Sequence, residues 1–281
     1  FINTPSLQSI MDESNDDFCV FEDNSIYAKD KSLVFVPRNL KQYKLIPNCL
    51  VIHSGSFCGP NLEKVSFSDN SLICIEKCGF AHSTGLKSIT IPSSVQYIGS
   101  ECFIDCRNLD IVDFEPGSKF KNIPKYCFAY SGLKTICLPA SIEVINHSSF
   151  SFCNNLKTVN LEATNTKFIG EFAFSETSIN DMKLPPSIEF IGNCAFRGNE
   201  SFKSIDLTNI KKFEKSVDIR HIYRKSRKDL IKSKKEILKL INNSDQPTIE
   251  FDTMKINANY NINNNENKSP RRYYGTNSKI P

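Results

Sequence analysis

The feature that most constrains this chain is a pair of residues, Ile followed five positions later by Phe, that recurs seven times. Successive pairs lie 22 to 25 residues apart, the interval of a solenoid in which each repeat forms one coil. Seven matches with so little drift predict one repeat domain across most of the chain. The pairs are Ile52/Phe57, Ile75/Phe80, Ile98/Phe103, Ile123/Phe128, Ile145/Phe150, Ile169/Phe174 and Ile191/Phe196.

A short strand is predicted after each Phe, because the sequence there follows the pattern L-x-x-I-x-I. The last two apolar positions are two residues apart, so both side chains face the same side of a strand. The copies are Leu62/Val65/Phe67, Leu86/Ile89/Ile91, Leu109/Val112/Phe114, Leu133/Ile136/Leu138, Leu156/Val159/Leu161, Ile179/Met182/Leu184 and Phe202/Ile205/Leu207. Pro92 and Pro139 directly follow such strands and would end the pairing, because proline has no N–H to donate.

Each coil is therefore predicted to contain a strand, a turn, a short extended piece that reaches Ile, and about one helical turn around Phe. Glycines after Ile, at positions 99, 170 and 192, indicate tight bends. One coil cannot bury its own Leu, Ile and Phe side chains, so neighbouring coils must cover them. We therefore expect the seven Phe side chains to form one buried column.

The repeat resembles that of the BspA-type leucine-rich repeat family, whose members carry repeats like I-P-x-S-V-x-x-I-G-x-x-A-F-x-x-C-x-x-L-x-x-I-x-I. The chain follows this pattern from Ile91 to Phe114 and from Leu184 to Leu207, and the similarity covers about residues 40–210. The resemblance implies an α/β fold, a right-handed leucine-rich-repeat solenoid with parallel strands on one face and short helical turns on the other. The asparagine ladder of ordinary leucine-rich repeats is missing.

Five segments are predicted on this basis. They are a truncated upstream repeat at 1–22, a hairpin insertion at 23–39 similar to that of protozoan family members, the solenoid at 40–210, a basic C-terminal helix or cap at 211–243, and a disordered Asn-rich tail at 244–281. Because the chain opens inside a repeat-like segment, we expect it to be a fragment of a longer protein.

The charge distribution separates the tail from the body. The last 71 residues carry 17 Lys and Arg against 8 Asp and Glu, which leaves a mildly acidic body before them. For the predicted basic helix three roles stay open. It could cap the last coil, contact a membrane or a partner helix, or, as the least favoured alternative, contact nucleic acid.

No catalytic, cofactor or metal site is predicted. The four histidines are scattered without metal-ligand spacing, and His53 with Cys58 in one coil does not indicate a thiol catalytic pair. Nucleotide-binding and hydrolase motifs are lacking. We therefore expect that the protein is not an enzyme.

The eleven cysteines all precede residue 200. A disulfide framework is one interpretation. Most of them lie beside apolar positions of the repeat, as in the C-x3-C pairs Cys74/Cys78 and Cys102/Cys106, and there Cys acts as a small hydrophobe. The second interpretation, buried free thiols, is favoured.

The predicted binding surface is the outward side of the strands. The residue between the two inward positions of each strand points to solvent, and this column contains Ser66, Thr90, Asp113, Cys137, Asn160, Lys183 and Asp206. In the column before it, Ile111 stands out as an apolar residue on a polar face. Solenoids bind partners through such extended faces, while a merely solvated face is the alternative for any single residue.

The resemblance implies a non-enzymatic protein-binding protein with a role in adhesion, either secreted or at the cell surface. The Lys-, Asn- and Ile-rich composition fits a parasitic protist such as a trichomonad. The expected partners are therefore host cell-surface or extracellular matrix proteins, or a second copy of the chain. No nucleic acid is expected, and contact of the basic tail with a membrane is left open.

The alternative is an intracellular scaffold of the same fold in the cytoplasm, tethered by its basic tail. Free thiols throughout the chain would favour the scaffold. Glycosylation at Asn146 or Asn199, which head N-x-S/T triplets, would favour the surface.

Overall fold

The repeats fold into coils whose short strands stack on one another. The computed structural model describes residues 17–199 and the strand at 212–213. The strands are β1 (Phe18–Val20), β2 (Ile26–Ala28), β3 (Leu33–Phe35), β4 (Gln42–Lys44), β5 (Val51–Ile52), β6 (Lys64–Ser66), β7 (Cys74–Ile75), β8 (Ser88–Ile91), β9 (Tyr97–Ile98), β10 (Ile111–Phe114), β11 (Asn122–Ile123), β12 (Thr135–Ile136), β13 (Val144–Ile145), β14 (Thr158–Val159), β15 (Phe168–Ile169), β16 (Phe190–Ile191) and β17 (Lys212–Phe213). Within the described residues the one helical segment is a 3-10 helix, Leu161–Ala163.

The coils present two sets of parallel strands, which we name face 1 and face 2. Face 1 contains the L-x-x-I-x-I strands, as a four-stranded sheet in the order β10-β8-β6-β4 and a two-stranded sheet β12-β14. Face 2 contains the segments that reach Ile and the strands paired with them: β3, β5, β7 and β9 in one sheet, and β11, β13, β15, β16 and β17 in another. The prediction of strands on one face only is therefore wrong, because the extended piece before each Ile also pairs between coils.

The predicted Phe column is confirmed. Each Phe stacks on the Phe of the next coil, with ring centroids 4.6–5.7 Å apart. None of the seven rings is more than 1% exposed. This spacing follows the distance of about 4.8 Å between neighbouring strands, so the column and the two faces share one stacking repeat. The members are Phe57, Phe80, Phe103, Phe128, Phe150, Phe174 and Phe196.

The segment around each Phe is not a helical turn, so that part of the predicted fold is wrong. In the coil of Phe103, alternate N–H groups donate to carbonyl groups of the next coil. These bonds run from Glu101 to Lys125, from Phe103 to Cys127 and from Asp105 to Ala129, at 2.8–2.9 Å. The intervening N–H groups of Ile104 and Cys106 bond three residues back within their own coil. A helix would use its N–H groups internally, whereas this segment divides its donors between two coils.

Left-handed backbone conformations keep this segment from winding into a helix. Glu101 and Asp105, two residues before and two residues after Phe103, have φ of 60° and 59°. The same two positions have positive φ in every coil from Phe80 to Phe196. A left-handed residue interrupts the right-handed winding of a helix. The sequence hid this feature, because apart from Gly198 these positions hold residues other than glycine, which would have been the usual signal.

A ladder of polar side chains lies three residues after the Phe. It was not predicted from the sequence, because the asparagine repeat of ordinary leucine-rich repeats is missing. In four of the coils the side chain at this position donates a hydrogen bond to the carbonyl of the Phe in the preceding coil. The bonds are Ser83 to Phe57 at 2.6 Å, Cys106 to Phe80 at 3.1 Å, Cys153 to Phe128 at 3.0 Å and Asn199 to Phe174 at 3.0 Å. Hydroxyl, thiol and amide groups thus fill one structural role, which conceals the ladder from a search for asparagine.

The segment predicted as a hairpin insertion, 23–39, contains an antiparallel pair. Strand β2 pairs antiparallel with β3, and β3 then pairs in parallel with β5 through Leu33 and Ile52. Arg38 donates to the carbonyls of Gly55 and Ser56 at 3.1 Å each, and the N–H of Val36 also donates to the Ser56 carbonyl at 3.1 Å. The hairpin therefore covers the end of the parallel stack, which a solenoid requires.

Most of the terminal predictions lie outside the described residues. Of the upstream repeat expected at 1–22, the described part is 17–22, where β1 pairs antiparallel with β2. The disordered tail expected at 244–281 and most of the helix expected at 211–243 are not among the described residues. At the start of the segment expected to be a helix or cap, β17 is a strand parallel to β16, and the helix itself is not supported by the described residues. Face 2 thus extends to Phe213, beyond the point where the repeat was expected to stop.

Candidate protein-binding face

Face 1 aligns the predicted binding residues in columns. Strands β8 and β10 are in register, which places Thr90 beside Asp113 and Ser88 beside Ile111. These four side chains are exposed, while the residues between them, such as Val112, are buried. Because successive side chains of a strand point to opposite sides, the exposed residues form two outward columns. Strands β12 and β14 repeat the arrangement through Thr135 and Thr158.

Two residues interrupt the polar character of this face. Ile111 is 50% exposed, more than any other large apolar side chain among the described residues. Cys137 is an exposed free thiol. Single exposed apolar side chains are common on protein surfaces, so the exposure of Ile111 distinguishes it from its polar neighbours without assigning it a partner.

Three of the predicted face residues have other surroundings. Asn160 is half-buried, and its amide brackets the backbone of Leu138: its Oδ1 accepts from the N–H at 2.7 Å and its Nδ2 donates to the carbonyl at 3.1 Å. Asn160 therefore supports the coil and presents little of its amide to a partner. Lys183 is exposed but lies outside the strands, and Asp206 lies outside the described residues. The regular part of face 1 thus runs from β4 to β14.

A line of charges of alternating sign borders face 1. The five residues that follow the first apolar position of successive strands are Lys41, Glu63, Lys87, Asp110 and Lys134. Lys87 binds Glu63 at 3.0 Å, and Lys134 binds Asp110 at 2.6 Å. The hydrogen bond and charge of Lys87 hold the pKa of Glu63 below its ordinary value. These pairs are solvent-exposed and individually weak, so they set the charge pattern of the rim more than the stability.

The described residues offer little for catalysis or metal binding. Burial raises the pKa of the Cys58 thiol to about 11, and its Sγ donates to the carbonyl of Cys78. His53 instead contacts Ser32 and Glu76. A buried thiol with a raised pKa is not an activated nucleophile. Between residues 17 and 199, no three His, Cys, Asp or Glu side chains come together as metal ligands.

In the described part of the chain, no helix has the length and apolarity that a membrane span requires.

Face 2 is a surface that was not predicted from the sequence. The residue before each buried Ile points outward from this face, and the column contains Val51, Cys74, Tyr97, Asn122, Val144, Phe168 and Phe190. Most of its members are apolar, in contrast to the polar columns of face 1. The signal was available, because the position before Ile is apolar or aromatic in six of these seven coils.

A family model described as the BspA type leucine rich repeat region matches this chain. It matches residues 31–120, 50–168 and 121–221, with six copies, and so covers well over half of the chain. The chain belongs to the BspA-type leucine-rich repeat family. The two faces and the Phe column are therefore the structural core of a BspA-type repeat.

Two solved bacterial proteins have the same kind of fold. A leucine-rich repeat protein from Eubacterium ventriosum is 25% identical, with a TM-score of 0.62 over 73% of this chain and 55% of its own. A leucine-rich repeat protein from Bacteroides ovatus is 21% identical, with a TM-score of 0.52 over 75% of this chain and 63% of its own. The BspA-type chain thus spans between about half and two thirds of the length of these two proteins. A search of curated proteins found no significant match.

Proposed function

We propose that this chain is a non-catalytic, protein-binding BspA-type repeat protein that engages its partner through face 1. The observation that carries the proposal is the in-register alignment of exposed Thr90, Asp113, Ser88 and Ile111 on β8 and β10. An extended sheet surface of this kind suits a protein partner, because it offers a broad contact area and no enclosed pocket. Ile111 would supply the apolar centre of the interface, with the polar columns around it.

The proposed setting is a cell surface or the extracellular space, with a role in adhesion. The BspA-type family supports this setting. The composition adds the narrower proposal of a parasitic protist whose partner is a host surface or matrix protein. Labelling of intact cells with a membrane-impermeant amine reagent tests the setting: recovery of the labelled chain supports it, and labelling only after lysis contradicts it.

An intracellular scaffold is the second candidate, and the cysteines favour it. No disulfide forms among the described residues, which include all eleven cysteines, whereas proteins of oxidising compartments generally form disulfides. The two glycosylation triplets do not separate the candidates. The amide of Asn146 donates to the Ile123 carbonyl, and buried Asn199 bonds Thr177, so neither amide is presented for modification in the folded coil.

The test of face 1 begins with capture of proteins on the immobilised full chain. A double variant, Ile111→Lys with Asp113→Lys, changes the centre of face 1. Glu162→Lys with Ala163→Lys, both at exposed positions of the 3-10 helix, adds the same three positive charges and is the matched control. A partner retained by the wild type is then purified and its affinity for all three chains is measured.

We expect the double variant to bind at least about tenfold more weakly, since interface anchors commonly contribute more than 1 kcal/mol each. The control should bind like the wild type. Equal affinity of all three chains would contradict binding through face 1 and leave the family assignment intact.

A further inference from the structure

The outward column of face 2 is apolar over three consecutive strands. Val144, Phe168 and Phe190 come from β13, β15 and β16, which are paired in register. Each is half-buried, while the Ile that follows it is fully buried. The rings of Phe168 and Phe190 lie 6.2 Å apart. Partly exposed aromatic and aliphatic side chains in a row mark a surface that gains from being covered.

A line of alternating charge runs directly beside this apolar column. The residues one position earlier in successive coils are Lys121, Glu143, Lys167 and Glu189. Glu143 binds Lys121 at 2.8 Å and Lys167 at 3.1 Å through its two oxygens. The lysines are 64% and 43% exposed in their side chains, so their charges remain available to a second molecule.

The apolar column and the charged line can each pair with the same line of a second copy, if the stacking direction of the coils is reversed in that copy. A twofold axis along the strand direction, midway between β13 and β15, places Val144 opposite Phe168 of a second copy. The same rotation places Glu143 opposite Lys167 and Lys121 opposite Glu189, so opposite charges meet at every step. An interface in which each residue meets its counterpart through a twofold axis is the usual arrangement of homodimers.

We propose that a second copy of this chain packs against face 2 with the stacking direction of its coils reversed. The twofold axis lies between β13 and β15. Alternating charge alone does not carry the proposal, because Lys41, Glu63 and Lys87 alternate beside face 1 as well. There the neighbouring column is polar apart from Ile111, so covering it would bury little apolar surface. Only on face 2 does the alternating line border an apolar column, so only there does apposition bury apolar surface and match charges together.

The interface is small and the association is correspondingly weak. The strands β11 to β16 span on the order of 15–20 Å at about 4.8 Å per strand. A contact surface of this extent is smaller than the roughly 800 Å² per partner of a standard stable interface. We therefore expect micromolar or weaker affinity. The dimer would leave face 1 free on both copies, which adds avidity for a partner that presents two sites.

The test is sedimentation equilibrium of the full chain over about a hundredfold range of concentration, which brackets a weak dimer. The wild type should dimerise. Glu143→Lys sets two positive charges against each other across the axis, and Lys167→Glu sets two negative charges against each other, so each variant alone should be monomeric. An equimolar mixture of the two should dimerise again, because the positive charge introduced at position 143 of one variant then faces the negative charge introduced at position 167 of the other.

This mixture separates association from folding, since each variant also loses ion pairs within its own chain and mixing cannot repair those. Circular dichroism of each variant checks that it remains folded. Glu63→Lys, the same charge change beside face 1, should dimerise like the wild type. A monomeric wild type, or charge variants that dimerise alone, would overturn the proposal, and so would a mixture that stays monomeric.

Discussion

Phe103 and Phe128 lie in successive coils with their ring centroids 5.4 Å apart and their planes 7° apart. Both rings are fully buried. Stacked rings contribute beyond the burial of their area, and this pair repeats along the whole column. The coils are therefore held together by contacts between neighbours. A substitution in one coil weakens the packing against both adjacent coils.

Gly99→Ala should strongly destabilise the protein. A Cβ at Gly99 would lie 2.3 Å from the backbone nitrogen of Lys77 in the preceding coil. Backbone cannot move aside as a flexible side chain can, so the coils would have to separate locally. The expected bend is not the reason for this glycine, because its φ is not in the left-handed range. Denaturant unfolding should show a loss of about 1–3 kcal/mol or more, as for overpacked cores.

Asn146 provides the matched control for Gly99. It occupies the same position after Ile in another coil and already carries a Cβ. Asn146→Ala loses the hydrogen bond from its amide to the Ile123 carbonyl, 2.9 Å long, and should cost only about 1 kcal/mol. If Gly99→Ala costs no more than Asn146→Ala, close approach between the coil backbones is not what requires glycine.

The ladder beside the Phe column predicts an order of stability at Cys106. Its thiol donates to the Phe80 carbonyl at 3.1 Å, as Ser83 donates to Phe57. Cys106→Ser keeps a donor and Cys106→Ala removes it, so the Ser variant should be more stable than the Ala variant by about 1 kcal/mol. A more stable Ala variant would mean that Cys106 acts only as a small apolar residue.

Thiol labelling of the native chain should find two fast-reacting cysteines, Cys19 and Cys137, because these are the two exposed ones. Denatured protein should react at all eleven. Buried thiols such as Cys153 should be protected, since burial raises the pKa of Cys153 to about 12. Cys137→Ser should remove one fast reaction. An unreactive Cys137 in the native wild type would place its strand in the opposite orientation.

Two histidines should change stability with pH in opposite directions. Glu76, 3.2 Å from His53, raises the pKa of His53 above 6.5, so its contribution is present below pH 6.5 and lost as pH rises through the folded pKa. Burial lowers the pKa of His147, so its contribution is present above pH 6.5 and lost as pH falls through the folded pKa.

Unfolding free energies measured at about pH 5.5 and about pH 8 check this assignment. His53→Gln should cost more stability at the lower pH, and His147→Gln should cost more at the higher pH. Equal losses at both pH values would show that neither environment distinguishes the protonated imidazole from the neutral one.

The sequence predicted the parts of the fold that depend on long, regular spacing. Ile98 and Phe103 recur with their partners often enough to predict the column, and Ile89 with Ile91 predicted which side of β8 is buried. Face 2 escaped because its strands are two residues long, as in Val144–Ile145. An alternation of period two cannot be recognised in two residues.

Other misses have a similarly local cause. The helical turn was inferred around Phe103 although Glu101 and Asp105 adopt left-handed conformations that their residue types rarely signal. Asn160 was placed on the binding face from its position in the pattern. Its hydrogen bonds to Leu138 in the preceding coil could not be seen without the stacking geometry.

The most direct test of the stacked-coil account is denaturant unfolding of Phe128→Ala beside Phe152→Ala. Phe128 is fully buried between Phe103 and Phe150, whereas Phe152 is 41% exposed and stacks on Tyr130 alone in this part of the chain. We predict a loss of about 3–5 kcal/mol for Phe128→Ala and no more than about 1.5 kcal/mol for Phe152→Ala. Indistinguishable unfolding midpoints for Phe128→Ala and the wild type would contradict the account.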